Sequence, residues 1–226
     1  MTTPEQLPLD FEMRSAMSEA DFLVTEANRD AVDWIDRWPG WPGPALCVHG
    51  PAGCGKSHLA AVFRERSQAR IADTDTIATP SVDRGGAWVV DGVGSCIRDV
   101  GEESLLHFYN AVVEAGGSLL LCDREPPARW EIALPDLRSR LNAASAVEIE
   151  APDDALLAAV LVKLLADRQL RVGVAVVEYV LARMERSFAA AGELVDKLDR
   201  LALAEKREIT VPLARRVLSN DNTGEG

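Results

Sequence analysis

With 226 residues and 47% apolar side chains, the chain can build one large domain or two small ones. Its 36 acidic against 24 basic side chains leave a net charge of −12, and no Lys/Arg cluster overrides that field, which argues against direct sequence-specific DNA binding. No apolar run approaches the ~20 residues of a membrane helix and no leader pattern opens the sequence, so a cytoplasmic protein with no membrane partner is expected.

Residues 1–20 read as a flexible, polar tail interrupted by the apolar string Gln6-Leu7-Pro8-Leu9-Asp10-Phe11. Leu7, Leu9 and Phe11 need a surface to bury against, either the protein's own core or a partner. An α/β nucleotide-binding domain is expected over residues 21–151. It opens with a lead-in and an amphipathic helix marked by Phe22, Leu23, Ala31, Val32, Trp34, Ile35 and Trp38. Pro39-Gly40-Trp41-Pro42-Gly43-Pro44 ends that helix, and the apolar run 45–48 predicts a strand.

Gly50-Pro51-Ala52-Gly53-Cys54-Gly55-Lys56-Ser57 follows directly, and His58 leads on through a helical segment to residue 66. Strand, glycine-rich loop and helix together form the setting of a phosphate-binding P-loop. The glycines let the backbone wrap closely with its N–H groups turned inward, Lys56 can reach the β- and γ-phosphates, and Ser57 can ligate Mg²⁺. The helix that follows offers its positive end to the anion. ADP or ATP with Mg²⁺ is the expected ligand.

Further on, residues 69–72 read as a short strand, 73–86 as a loop, and 87–90 as an apolar strand ending in Asp91. Asp91 is either the acid that holds Mg²⁺ through water or an ordinary turn aspartate. The next position, where a carboxylate would orient the attacking water, is Gly92. A helix over 102–115 stops at Gly116, and a buried strand over 118–122 leads to Asp123. Asp123 either reaches the γ-phosphate region or caps the turn at Arg124-Glu125-Pro126-Pro127. A helix over 134–143 carries Arg138-Ser139-Arg140, either solvated cations or a guanidinium aimed at a nucleotide on a neighbouring subunit. A last strand is predicted over 147–150.

Alternating strands and helices imply a parallel sheet covered on both faces. From residue 152 the strand signal disappears. Helical patterns over 153–169, 174–186, 189–206 and 211–218 predict a small all-helical domain over 152–226. Cys47, Cys54, Cys96 and Cys122 have no metal-ligand spacing and read as reduced thiols, while His49, His58 and His107 form no catalytic pattern.

Taken in order, GPAGCGKSHLA, WVVDG, LLLCDREPPARW, LPDLRSRL, ELVDKLDRL and EITVPLARRVL resemble the AAA+ module of the DnaA family of replication initiators, and most closely its DnaA-homologous regulators of the Hda type. The resemblance runs over residues 22–218 and extends to the peptide at 6–11. It implies an AAA+ α/β core with a helical lid and no helix-turn-helix DNA-binding unit after it. It also implies an ADP-bound regulator that docks on the β sliding clamp of DNA polymerase III, and is nucleoid-associated through that clamp. There it stimulates ATP hydrolysis by DnaA and prevents re-initiation. On this resemblance Arg140 is the arginine finger acting in trans, with Arg138 as the fallback candidate, and Asp123 stands at the sensor I position. Gly50, Gly53, Gly55, Lys56 and Ser57 match Walker A, and Gln6, Leu7, Leu9 and Phe11 match the clamp peptide.

Two positions depart from the pattern. Gly92 lacks the water-orienting carboxylate, and Gly192 stands where the lid should carry a sensor II arginine, with Arg183 or Arg186 as possible substitutes. Weak or absent intrinsic ATPase is therefore expected. The competing readings are a DnaA-type ATPase or loader, which wants an acid at 92 and an arginine at 192, and a small-molecule P-loop kinase using the arginines between 124 and 140. A homodimer is left open.

Overall fold

The computed structural model describes residues 24–205 and 207–221, which fall into two compact units divided after Glu150. In the first unit, helix α1 (Arg29–Asp36) precedes β1 (Ala45–His49), α2 (Lys56–Ser67) and β2 (Arg70–Ile71). Next come α3 (Thr74–Ala78), β3 (Ala87–Asp91), α4 (Val93–Val100) and α5 (Glu102–Glu114). The unit closes with β4 (Ser118–Asp123), a 3₁₀ turn (Pro127–Arg129), α6 (Pro135–Asn142) and β5 (Ser145–Glu148). The five strands form one parallel sheet in the order β2-β3-β4-β1-β5.

The central strands are apolar on both faces, as a doubly covered parallel sheet demands. Side chains alternate across a strand, so Leu46, Val48, Val89, Leu120 and Cys122 enter one core with Ile35 of α1 and Leu59 and Phe63 of α2. Cys47, Trp88, Val90, Leu119 and Leu121 face the other way, into a core with Phe108 and Val112 of α5 and Leu137 and Leu141 of α6. Both layers are needed because each strand would otherwise leave one apolar face in water.

Two expectations about elements need correction, and one helix lies in a stretch given no element. The 73–86 segment is not all loop: Asp73 caps α3 by accepting a hydrogen bond from Thr76 N at 2.8 Å. Helix α4 fills the stretch between Gly92 and Gly101, both at positive φ, and is held by burial of Val93 and Cys96. The last strand begins at Ser145, two residues before the apolar pair that suggested it, because β5 is an edge strand with one exposed face.

The second unit contains α7 (Asp154–Asp167), α8 (Val174–Leu181), α9 (Phe188–Glu205) and α10 (Val211–Asp221). Asp153 caps α7 through Leu156 N at 2.7 Å. Leu161, Leu165, Val180, Leu194, Val195, Leu198 and Leu213 form its core, at spacings that put one stripe of each helix inside.

Candidate nucleotide site

Strands β1, β3 and β4 end side by side. Val48 and Asp91 both pair with Cys122, and His49 pairs with Asp123. The P-loop therefore leaves the sheet beside the two acids from β3 and β4. Such an edge, at the carboxyl ends of parallel strands, is where α/β sheets bind ligands.

The loop's shape depends on glycine at Gly50, with φ 151°. A Cβ there would be driven into the Ile149 carbonyl oxygen and would press on Cys54 Sγ. Gly50 N–H is shared between the Asp123 and Arg124 carbonyls at 3.3 and 3.2 Å, which pins the start of the loop to the end of β4. Gly55, at φ 109°, opens α2 with no side-chain cap and no acid in the first turn. The first N–H groups of α2 therefore have no side-chain cap.

Lys56 lies across this loop, donating from Nζ to the carbonyls of Gly50 at 2.8 Å and Pro51 at 2.7 Å. Cys54 Sγ lies 3.7 Å from the same ammonium. Burial raises the Cys54 thiol above its ordinary range, and Lys56 partly opposes this. Pro51 and Ala52 are exposed, Gly53 is half-buried, and His58 is half-buried in the first turn of α2. Ser57 is exposed in that turn and Asp91 is exposed at the tip of β3. Among the described residues no cluster of three or more His, Cys, Asp or Glu suits a metal. The donor set fits an ion held jointly by Ser57, Asp91 and phosphate oxygens rather than one caged by protein alone.

Asp123 has a structural role that the sequence left open. Its Oδ2 accepts from Gly94 N at 2.6 Å, and its Oδ1 accepts from Arg124 N at 2.6 Å. The carboxylate therefore caps the first turn of α4 and the turn after β4 at once. Gly92 also has a backbone reason: φ 84° in the left-handed region, with its N–H donating to Cys122 O at 2.8 Å.

Arg138 and Arg140 are exposed on α6, whose inward side buries Leu137 and Leu141. The Arg140 guanidinium sits 6.0 Å from the ring centre of Tyr109 on α5. Burial pushes the Tyr109 hydroxyl up, while Arg140 pulls it the other way. Both Glu102 oxygens accept backbone N–H groups just before α6, from Ala133 at 2.9 Å and Leu134 at 2.6 Å. No motif signals this clamp; an acid in the first turn of α5 reads as a helix-end charge. In the second unit, a Cβ at Gly192 would meet nothing within 4 Å, so packing does not demand glycine there. Arg183 stacks 4.0 Å from the Tyr179 ring centre and Arg186 pairs with Asp154. Gln6, Leu7, Leu9 and Phe11 lie outside the described residues.

The parallel sheet with its helices and the helical unit after it have the α/β fold of AAA+ proteins. The chain is similar to domain III of the replication initiation protein DnaA from Thermotoga maritima, with TM-score 0.74 and 17% identity over 88% of this chain and 94% of that one. AMPPCP-bound DnaA from Aquifex aeolicus is similar at TM-score 0.66 and 17% identity, over 89% of this chain and 68% of that one. The RuvB Holliday junction branch migration motor of Thermotoga maritima shares the fold at TM-score 0.67 and 17% identity, over 88% and 70% of the two chains. Residues 154–218 match the family described as Hda, lid domain. The helical unit thus matches an Hda lid, and the chain shares the fold of DnaA domain III.

Proposed function

We propose that this protein binds an adenine nucleotide with Mg²⁺ at its P-loop and regulates replication initiation by completing the active site of DnaA. In this reading the ADP-bound form docks on the β sliding clamp through residues 6–11 and presents Arg140 to the ATP held by DnaA. The observation that carries it is the joining of an Hda-type lid to a DnaA-like core with Arg140 exposed on α6. A planar guanidinium delivered in trans to a transferring phosphoryl group contributes ~10³–10⁵ in rate. Nucleotide binding is supported by the glycine geometry at Gly50 and Gly55 and by the position of Lys56. The similar DnaA from Aquifex aeolicus binds AMPPCP, which supports this reading.

Gly92 and Gly192 deprive the protein of two groups that stabilise its own hydrolytic transition state, so its intrinsic turnover is slow. The test is ATP hydrolysis by DnaA in the presence of clamp-loaded DNA. Wild-type protein should stimulate it. Arg140→Ala should abolish stimulation while keeping fold, nucleotide and clamp binding, and Lys56→Ala should lose nucleotide binding. Full stimulation by Arg140→Ala would overturn the finger assignment. Rapid hydrolysis by the isolated protein would favour a motor instead.

A further inference from the structure

Arg98 is a cation at the nucleotide edge that no motif marks. Long side chains on a helix lean toward its N-terminus, and Arg98 follows this rule: its Nη2 donates to Ser95 Oγ, one turn back, at 2.9 Å. Since α4 begins two residues after the tip of β3, the guanidinium is carried back to the sheet edge that bears Asp91, Asp123 and the P-loop.

Gly94 makes room for this approach. A Cβ there would lie 3.3 Å from Asp123 Oδ2 and 3.7 Å from Arg98 Nη1. Carboxylate and guanidinium therefore flank the hollow left by the missing side chain. Both Asp123 oxygens are already engaged by backbone N–H groups. Among the described residues Arg98 makes no ion pair, its partner being the neutral Ser95 hydroxyl. It is exposed, always charged, and shaped to donate to two phosphate oxygens at once. Arg183 and Arg186, the lid arginines available to replace the one missing at Gly192, are engaged with Tyr179 and Asp154.

We propose that Arg98 reads the terminal phosphate of a nucleotide bound in its own P-loop, and so sets the preference between triphosphate and diphosphate. This inference rests on the nucleotide-binding reading above. With it, the chain can distinguish its two nucleotide states without a lid arginine.

The test is calorimetric titration of the full chain with Mg·ADP and Mg·AMPPCP, using wild type, Arg98→Ala and Arg98→Lys. One charge-assisted contact to the third phosphate is worth about 10-fold in affinity. Arg98→Ala should therefore weaken AMPPCP binding by about 10-fold and ADP binding by less than about 2-fold, with Arg98→Lys between. An AMPPCP-to-ADP affinity ratio in Arg98→Ala equal to that of wild type would overturn the inference alone. Failure of the wild type to bind either nucleotide would remove the underlying reading and this inference with it. Thermal melting should be the same for all three proteins, because Arg98 is exposed.

Discussion

Glu102 Oε2 accepts a hydrogen bond from Leu134 N at 2.6 Å, across 32 residues of sequence. With the second bond, from Ala133 to Oε1, one carboxylate holds the entry to α6 against the start of α5. Leu134 and Ala133 precede the first turn of α6, where N–H groups otherwise lack partners. The clamp lies at the start of the helix that carries Arg140.

Glu102→Ala should lower stability by about 1–3 kcal/mol, the cost of removing a charged acceptor from two donors. Glu102→Gln, which keeps one acceptor oxygen, should lose less. Urea denaturation of the three proteins checks the order, and equal midpoints would refute the clamp.

Gly50→Ala should be more damaging than a loop substitution usually is. The new methyl group collides with the Ile149 carbonyl, and φ 151° is a conformation that alanine rarely adopts. Strain and overpacking together predict a loss of about 2–4 kcal/mol. Calorimetric titration should also show no binding of Mg·ADP, since the cradle cannot close. Gly85→Ala is the control: φ is 72° but a Cβ there would meet nothing within 4 Å, so only the strain remains.

The four thiols should be inert in the native protein. Burial pushes Cys47 up to about 12 and Cys96 to about 11 from an ordinary 9.0, and Cys54 and Cys122 are raised as well. Native protein at pH 8 should resist iodoacetamide, and urea-unfolded protein should react at all four positions. The sign for stability follows. The unfolded thiols ionise first, so the contribution of these groups is intact below pH 9 and declines as pH rises through 9 toward the folded values. A urea midpoint that stays constant from pH 8 to pH 10.5 would contradict this.

Leu9→Ala with Phe11→Ala separates the two readings of the apolar string in the tail. A clamp ligand should lose co-elution with the β clamp and keep its melting temperature. A segment packed on the protein's own core should melt lower.

The P-loop was legible because its physics is local. Gly50, Gly53 and Gly55 supply positive φ within six residues, and Lys56 follows in sequence. The central strands and lid helices were legible for the same reason, through the period of their apolar residues. Helices α3 and α4 escaped because five and eight residues are too few to establish a period. Strand β5 was misplaced because half of its surface faces water and carries no apolar signal.

Sequence alone thus determined a glycine-rich loop between strand and helix on an α/β sheet, followed by a helical domain, since those rest on contacts between near neighbours. Only the tertiary structure decided that Asp123 caps α4, that Glu102 anchors α6, and that Arg98 and Asp123 flank the space at Gly94. The first two are contacts across 29 and 32 residues, and the third depends on where β3 and β4 end side by side. Side-chain type does not encode such distances. They arise from strand order and register, which follow from packing two apolar faces of one sheet at once.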